Sequence, residues 1–89
     1  MRLDKFLKVS RLVKRRTVAS DLCSGGQVKI NGKTAKPASE VTAGDILRLR
    51  IGSRVTEARI EEVPLKAVPA QAADRLYTVL KEETVESPL

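Results

Sequence analysis

The sequence predicts an α+β domain, with two amino-terminal helices packed on a small antiparallel sheet and a further helix closing the chain. Three observations predict it. Apolar residues recur at helical spacing through the first 24 positions. The spacing then switches to alternation on either side of an Asn-Gly pair. Helical spacing returns after Pro64 and Pro69. At 89 residues, 42% hydrophobic and 31% charged, the chain has the make-up of one small soluble globular unit.

Leu3, Phe6, Leu7 and Ser10 stand at i, i+3, i+4 and i+7, which gives the first helix one apolar side. Lys5 and Lys8 fall on its far side, and Arg11 drifts to the edge of the stripe. Asp4 lies in the first turn, where a carboxylate suits the positive end of the helix dipole. This helix is expected to end between Val9 and Arg11, with Leu12 and Val13 buried in the connection. The second runs from Lys14 or Arg15 to Ser24, its stripe made by the pairs Val18, Leu22 and Ala19, Cys23. Gly25-Gly26 stops it, since glycine readily takes the left-handed conformation that closes helices.

Gln27–Ile30 and Lys33–Lys36 flank Asn31-Gly32 as a hairpin, because both turn residues tolerate positive φ. Pro37 ends the second strand. Ala43-Gly44-Asp45 forms a turn into a strand from Ile46 to Ile51, with Leu47, Leu49 and Ile51 on one face and Arg48 and Arg50 on the other. Gly52-Ser53 leads to a further strand, Val55 to Val63, in which Thr56, Ala58 and Ile60 alternate with Glu57, Arg59 and Glu61. Ala72, Ala73, Leu76, Val79 and Leu80 then suggest a helix from Ala70 to Glu83, followed by a frayed tail, Glu86–Leu89. Residues 1–63 form the body of the molecule in this reading, and 64–89 a linker, closing helix and tail.

Charge is sharply segregated. The segment Arg2–Arg16 holds seven of the 17 basic residues and one of the 11 acidic ones, so the whole net charge of +6 sits in it. A neutral body with one concentrated basic face is the footprint of a polyanion binder. The candidate contacts there are Arg2, Lys5, Lys8, Arg11, Lys14, Arg15 and Arg16, acting by counterion release and, for arginine, by bidentate hydrogen bonds. With only Phe6 and Tyr77 as aromatics, a stacking platform for single strands is not expected. RNA shape and backbone are the expected targets. Thr17 follows Arg16 at the start of the second helix; it reads either as part of a phosphate site at the helix N-terminus or as a helix-start residue only. Lys29 and Lys33 flank Asn31-Gly32, which is turn chemistry first, and can extend the phosphate-binding surface.

Cys23 is alone, so no disulfide forms within the chain, and it reads as a small core residue. The absence of histidine leaves no Cys/His metal site and no His-based catalytic dyad. No catalytic residue, metal or cofactor is expected. No apolar run approaches the roughly 20 residues of a membrane span, and charges interrupt any signal-peptide core. The expected location is the cytoplasm.

RLDKFL at the start, KRRTVA into the second helix, GGQVKING at the hairpin and AGDILRL at the third strand resemble the S-four (alpha-L) RNA-binding domain over about residues 1–51. Within that family, a chain of this length that begins RLDKFLKVSRLVKRRT and closes with LYTVLKEE is similar to the RqcP (YabO) group of bacterial ribosome-associated quality-control factors. The resemblance implies a non-enzymatic, ribosome-associated monomer that binds the large ribosomal subunit when a stalled peptidyl-tRNA obstructs it. It implies contacts to large-subunit rRNA and to that tRNA through the basic helical face, here Arg2, Lys14, Arg15 and Arg16. An RqcH-type partner would recruit alanyl-tRNA for untemplated C-terminal tailing. Two alternatives share the fold. Heat-shock-type relatives recycle stalled large subunits, but usually carry a basic C-terminal extension, whereas this chain ends with Glu82, Glu83 and Glu86. RNA-binding modules of pseudouridine synthases accompany a catalytic domain, and no Asp here stands in a recognisable catalytic setting.

Overall fold

A computed structural model describes residues 1–66 and 68–85. Helices α1 (Leu3–Val9) and α2 (Arg16–Ser24) precede strands β1 (Val28–Ile30), β2 (Lys33–Thr34), β3 (Ile46–Ile51) and β4 (Arg54–Ile60). A 3-10 helix (Ala70–Leu76) and strand β5 (Tyr77–Thr84) follow. The strands form one antiparallel sheet in the order β2-β1-β3-β4-β5. Both helices share a core with one face of it: Leu3, Phe6 and Leu7 of α1 and Ala19 and Cys23 of α2 are buried with Val28, Leu47, Leu49 and Ile60. The α+β expectation holds. No helix among the described residues is long and apolar enough to cross a membrane.

The local signals act as their chemistry requires. Asn31 and Gly32 both adopt positive φ, 51° and 85°, which is the paired left-handed geometry of a type I′ hairpin. Asn31 does more than turn the chain. Its amide Nδ2 donates to Asp45 at 3.1 Å and its Oδ1 accepts from the Ile46 backbone N–H at 2.9 Å, tying the hairpin tip to the start of β3. Gly26, at φ 75°, lets the chain leave α2 for β1. The end of α1 uses a residue with no such freedom: Arg11 sits at φ 63°.

Several expectations need correction. Val18 is exposed and Leu22 only half-buried at the margin of the core, so α2 buries fully only Ala19 and Cys23. These small side chains let the helix lie close, and Val18, one position round, falls outside. Ile51 is likewise exposed at the end of β3. Strand β4 stops at Ile60 instead of Val63, because the Glu61 and Glu62 N–H groups turn to the Leu76 carbonyl at 2.8 and 3.3 Å.

The largest difference lies at the carboxyl-terminal end. The closing helix is present but spans only Ala70–Leu76, as a 3-10 helix, and residues expected to continue it form β5. Val79 and Leu80, which gave the helical spacing, are about half exposed. What decides the outcome is the free edge of β4. Seven β4 residues pair with β5, satisfying backbone groups that a helix would leave open, and Thr78, Val79 and Thr84 suit an extended chain. A bulge opposite Glu57/Ala58 absorbs Leu80. The expected frayed tail, Glu86–Leu89, lies outside the described residues.

Candidate RNA-binding face

Asp4 is the one acid of the basic segment, and the structure buries it: 3% of it is exposed. A buried carboxylate must be paired or hydrogen-bonded to remain ionised at little cost. Here the Arg2 guanidinium donates through Nε to Oδ1 and through Nη2 to Oδ2, both at 3.2 Å, in the side-on bidentate form. The Lys5 backbone N–H donates to Oδ1 at 2.8 Å, and Arg16 Nη2 approaches the same oxygen at 3.7 Å. One carboxylate thus gathers two arginines from different elements, and the side chains of both remain 51% exposed.

The backbone beneath Arg2 is fixed as well. Leu3 N–H donates to the Ser39 carbonyl at 2.7 Å, Asp4 N–H to Pro37 at 3.2 Å, and Val41 N–H to Met1 at 3.1 Å. Arg2 bridges Glu40 in an isolated antiparallel contact, and the Met1 ammonium meets the Glu40 carboxylate at 2.9 Å. The segment 37–41 therefore straps the start of α1 in place.

Arg2, Lys5 and Arg16 line one open concavity of about 480 Å³, walled by Val63, Pro64 and Leu65. Leu65 is almost fully exposed at its edge. Lys14 and Arg15 are exposed in the connection between the helices. The N-cap position of α2 belongs to Arg15, in extended conformation, and Thr17 is exposed within the first turn. Lys8 is half-buried in the last turn of α1, where a cation suits the negative end of the helix dipole. Arg11 is exposed just beyond it.

The two hairpin lysines are not gathered with these. Lys33 is exposed on β2, at the sheet edge. Lys29 points away from the helices, since it alternates with Val28 and Ile30, and it lines a separate concavity. Sequence reasoning placed Asp4 at the helix dipole and missed its part in the site. The available signal was a lone acid two residues from Arg2, at the border of the apolar stripe.

The S4 domain family model matches residues 1–47, and the chain belongs to that family. Curated proteins extend the match to nearly the whole chain. It is 49% identical to the RQC P-site tRNA stabilizing factor of Listeria innocua, over 97% of this chain and 92% of that one. It is 47% identical to the Bacillus subtilis factor of the same name, over 93% and 95% of the two chains. Among solved structures, Vibrio cholerae Heat Shock Protein 15, described as trimeric, superposes with a TM-score of 0.81 at 35% identity, covering 89% of this chain and 80% of that one.

Proposed function

We propose that this protein binds the large ribosomal subunit and stabilises a stalled peptidyl-tRNA in the P site during ribosome-associated quality control. It acts without catalysis, by holding RNA elements in place, and supports C-terminal alanine tailing by an RqcH-type partner. The observation that carries the reading is the pair Arg2–Arg16, anchored by one buried carboxylate and half exposed to solvent. A guanidinium held by two hydrogen bonds, with a second beside the same carboxylate, can grip phosphates of folded RNA with less loss of side-chain freedom than lysines on a mobile chain. Lys5, Lys14 and Arg15 widen the charged footprint, Lys8 and Arg11 flank it, and Thr17 borders it at the start of α2. The likeness to factors named for P-site tRNA stabilisation supplies the ribosomal setting.

The test is sedimentation with large subunits carrying peptidyl-tRNA. Co-migration that depends on the tRNA supports the reading, and recovery only in the free fraction at low salt would sink it. A second reading, recycling of stalled large subunits by a heat-shock-type relative, draws on the structural likeness to Heat Shock Protein 15. It predicts equal binding to subunits whose tRNA does not occupy the P site.

A further inference from the structure

We propose that the sheet face turned away from the helices holds a second segment of RNA backbone, in a basic concavity formed by Lys29, Arg48 and Arg50. The reading that this chain is an RNA binder underlies the choice of ligand, but the surface is separate from the Arg2–Arg16 face. Val28, Leu47 and Leu49 lie in the core with α1 and α2. The residues between them, Lys29, Arg48 and Arg50, therefore project from the opposite side of the sheet.

These three cations line an open concavity of about 530 Å³, and no carboxylate lines it among the described residues. Lys29 and Arg48 are direct cross-strand partners, a like-charge pairing that weakens a sheet. Glu83 lies 3.7 Å from Arg48 but equally 3.7 Å from Lys81. Glu57, the β4 cross-strand partner of Arg48, is likewise paired with Lys81 on β5, so each acid is shared between two cations. The Arg50 Nε donates to the Gly52 carbonyl at 3.2 Å, which restrains the guanidinium beside the concavity it lines. Its other N–H groups are left without a protein partner among the described residues. Gly52 lies on the rim with nothing within 4 Å of where a Cβ would stand, so a backbone can approach closely. Val55, buried on this same side, closes the floor of the concavity. An excess of cations held around an open floor is stabilised by a polyanion. The phosphodiester backbone fits better than an acidic peptide because arginine forks match phosphate oxygens in a shallow site.

The experiment measures binding of a fluorescent 20-base-pair RNA duplex to the full chain by anisotropy across a salt series. For Arg48→Gln/Arg50→Gln, the slope of log affinity against log salt should fall by about 2, since each phosphate left without its cation removes close to 0.9. A charge-matched control, Lys36→Gln/Arg75→Gln, should leave it within about 0.5 of the original. Lys29→Gln alone should lower it by about 1 and, by removing the repulsion, should not lower the melting temperature; it serves if the double variant fails to fold. Arg2→Gln/Arg16→Gln reports on the helical face, so weaker binding there with intact Arg48/Arg50 dependence separates the two readings. An unchanged slope in both Arg48→Gln/Arg50→Gln and Lys29→Gln would overturn the proposal. So would an unchanged RNA slope with Arg48-dependent binding of a poly-glutamate peptide, which reassigns the face to an acidic protein.

Discussion

The Asp4 carboxylate stands 3.7 Å from the Arg16 guanidinium while holding Arg2 through both of its oxygens. This acid therefore sits inside a surface whose partner is a polyanion, where simple charge counting says it should not be. The geometry gives it a positioning role. It spends one face of each arginine to fix where the other face points.

Asp4→Asn separates these two views. The substitution raises net charge by one, so electrostatics alone predict tighter RNA binding. If Asp4 positions the arginines, binding to large subunits carrying peptidyl-tRNA weakens by about 3- to 10-fold, since interactions of charged groups are worth about 1.5–3 kcal/mol each and part of one is removed. A dissociation constant that falls or stays constant would reject the positioning role.

Arg2 and Arg16 differ in what they leave behind. Removing Arg16 leaves Asp4 with its bidentate partner, so Arg16→Ala should weaken ribosome binding about tenfold with little change in the thermal melt. Removing Arg2 strips a buried carboxylate of both of its guanidinium hydrogen bonds. Arg2→Ala should cost about 1–3 kcal/mol of folding stability in addition to binding. Equal melting curves for the two variants would contradict this asymmetry.

Arg11 carries a left-handed backbone that costs an ordinary side chain roughly 1–2 kcal/mol. Arg11→Gly should therefore raise the urea midpoint, by up to about 1 kcal/mol in stability, since glycine's greater unfolded-state freedom offsets part of the relief. RNA affinity, read on the same preparation, tells whether the Arg11 charge also contributes.

Burial pushes the Cys23 thiol up to about 11, helped by the negative charge of Asp4. Its folded pKa lies above its unfolded value, so the folded state binds the proton more tightly. The associated stability is complete below about pH 9 and is lost as pH rises through about 11. Stability should fall between pH 9 and 11 more steeply in the parent than in Cys23→Ala. Thiol reagents at neutral pH should label Cys23 only on unfolding, and rapid labelling of the native protein would refute its burial.

Asn31→Ala should destabilise the fold by about 1–3 kcal/mol, through the left-handed turn and the unsatisfied Ile46 N–H together. Asn31→Gly keeps the turn and loses only the side-chain bonds, so it should fall between the two in chemical denaturation.

The elements legible in the sequence were those whose local chemistry had a single solution. Leu3, Phe6 and Leu7 could face only one way on a helix, and Asn31-Gly32 could make only one kind of turn. Strand β5 was not legible because Leu76, Val79 and Leu80 satisfy helical spacing equally well. Only the unpaired edge of β4, a tertiary fact, chooses between the two. The site divides in the same manner: charge segregation marked Arg2, Lys5 and Arg16. Their common anchor depended on Asp4 being buried, and the separation of Lys29 depended on strand register, neither of which composition records.

The strap across the start of α1 has a consequence for the order of events in folding. Arg2 is synthesised before residues 37–41, whose hydrogen bonds fix its position, and before Leu76 of the core beneath it. The nascent amino-terminal segment is thus basic long before it is shaped. Until those distant partners arrive, it can attract RNA but cannot discriminate, so selectivity is acquired late in synthesis.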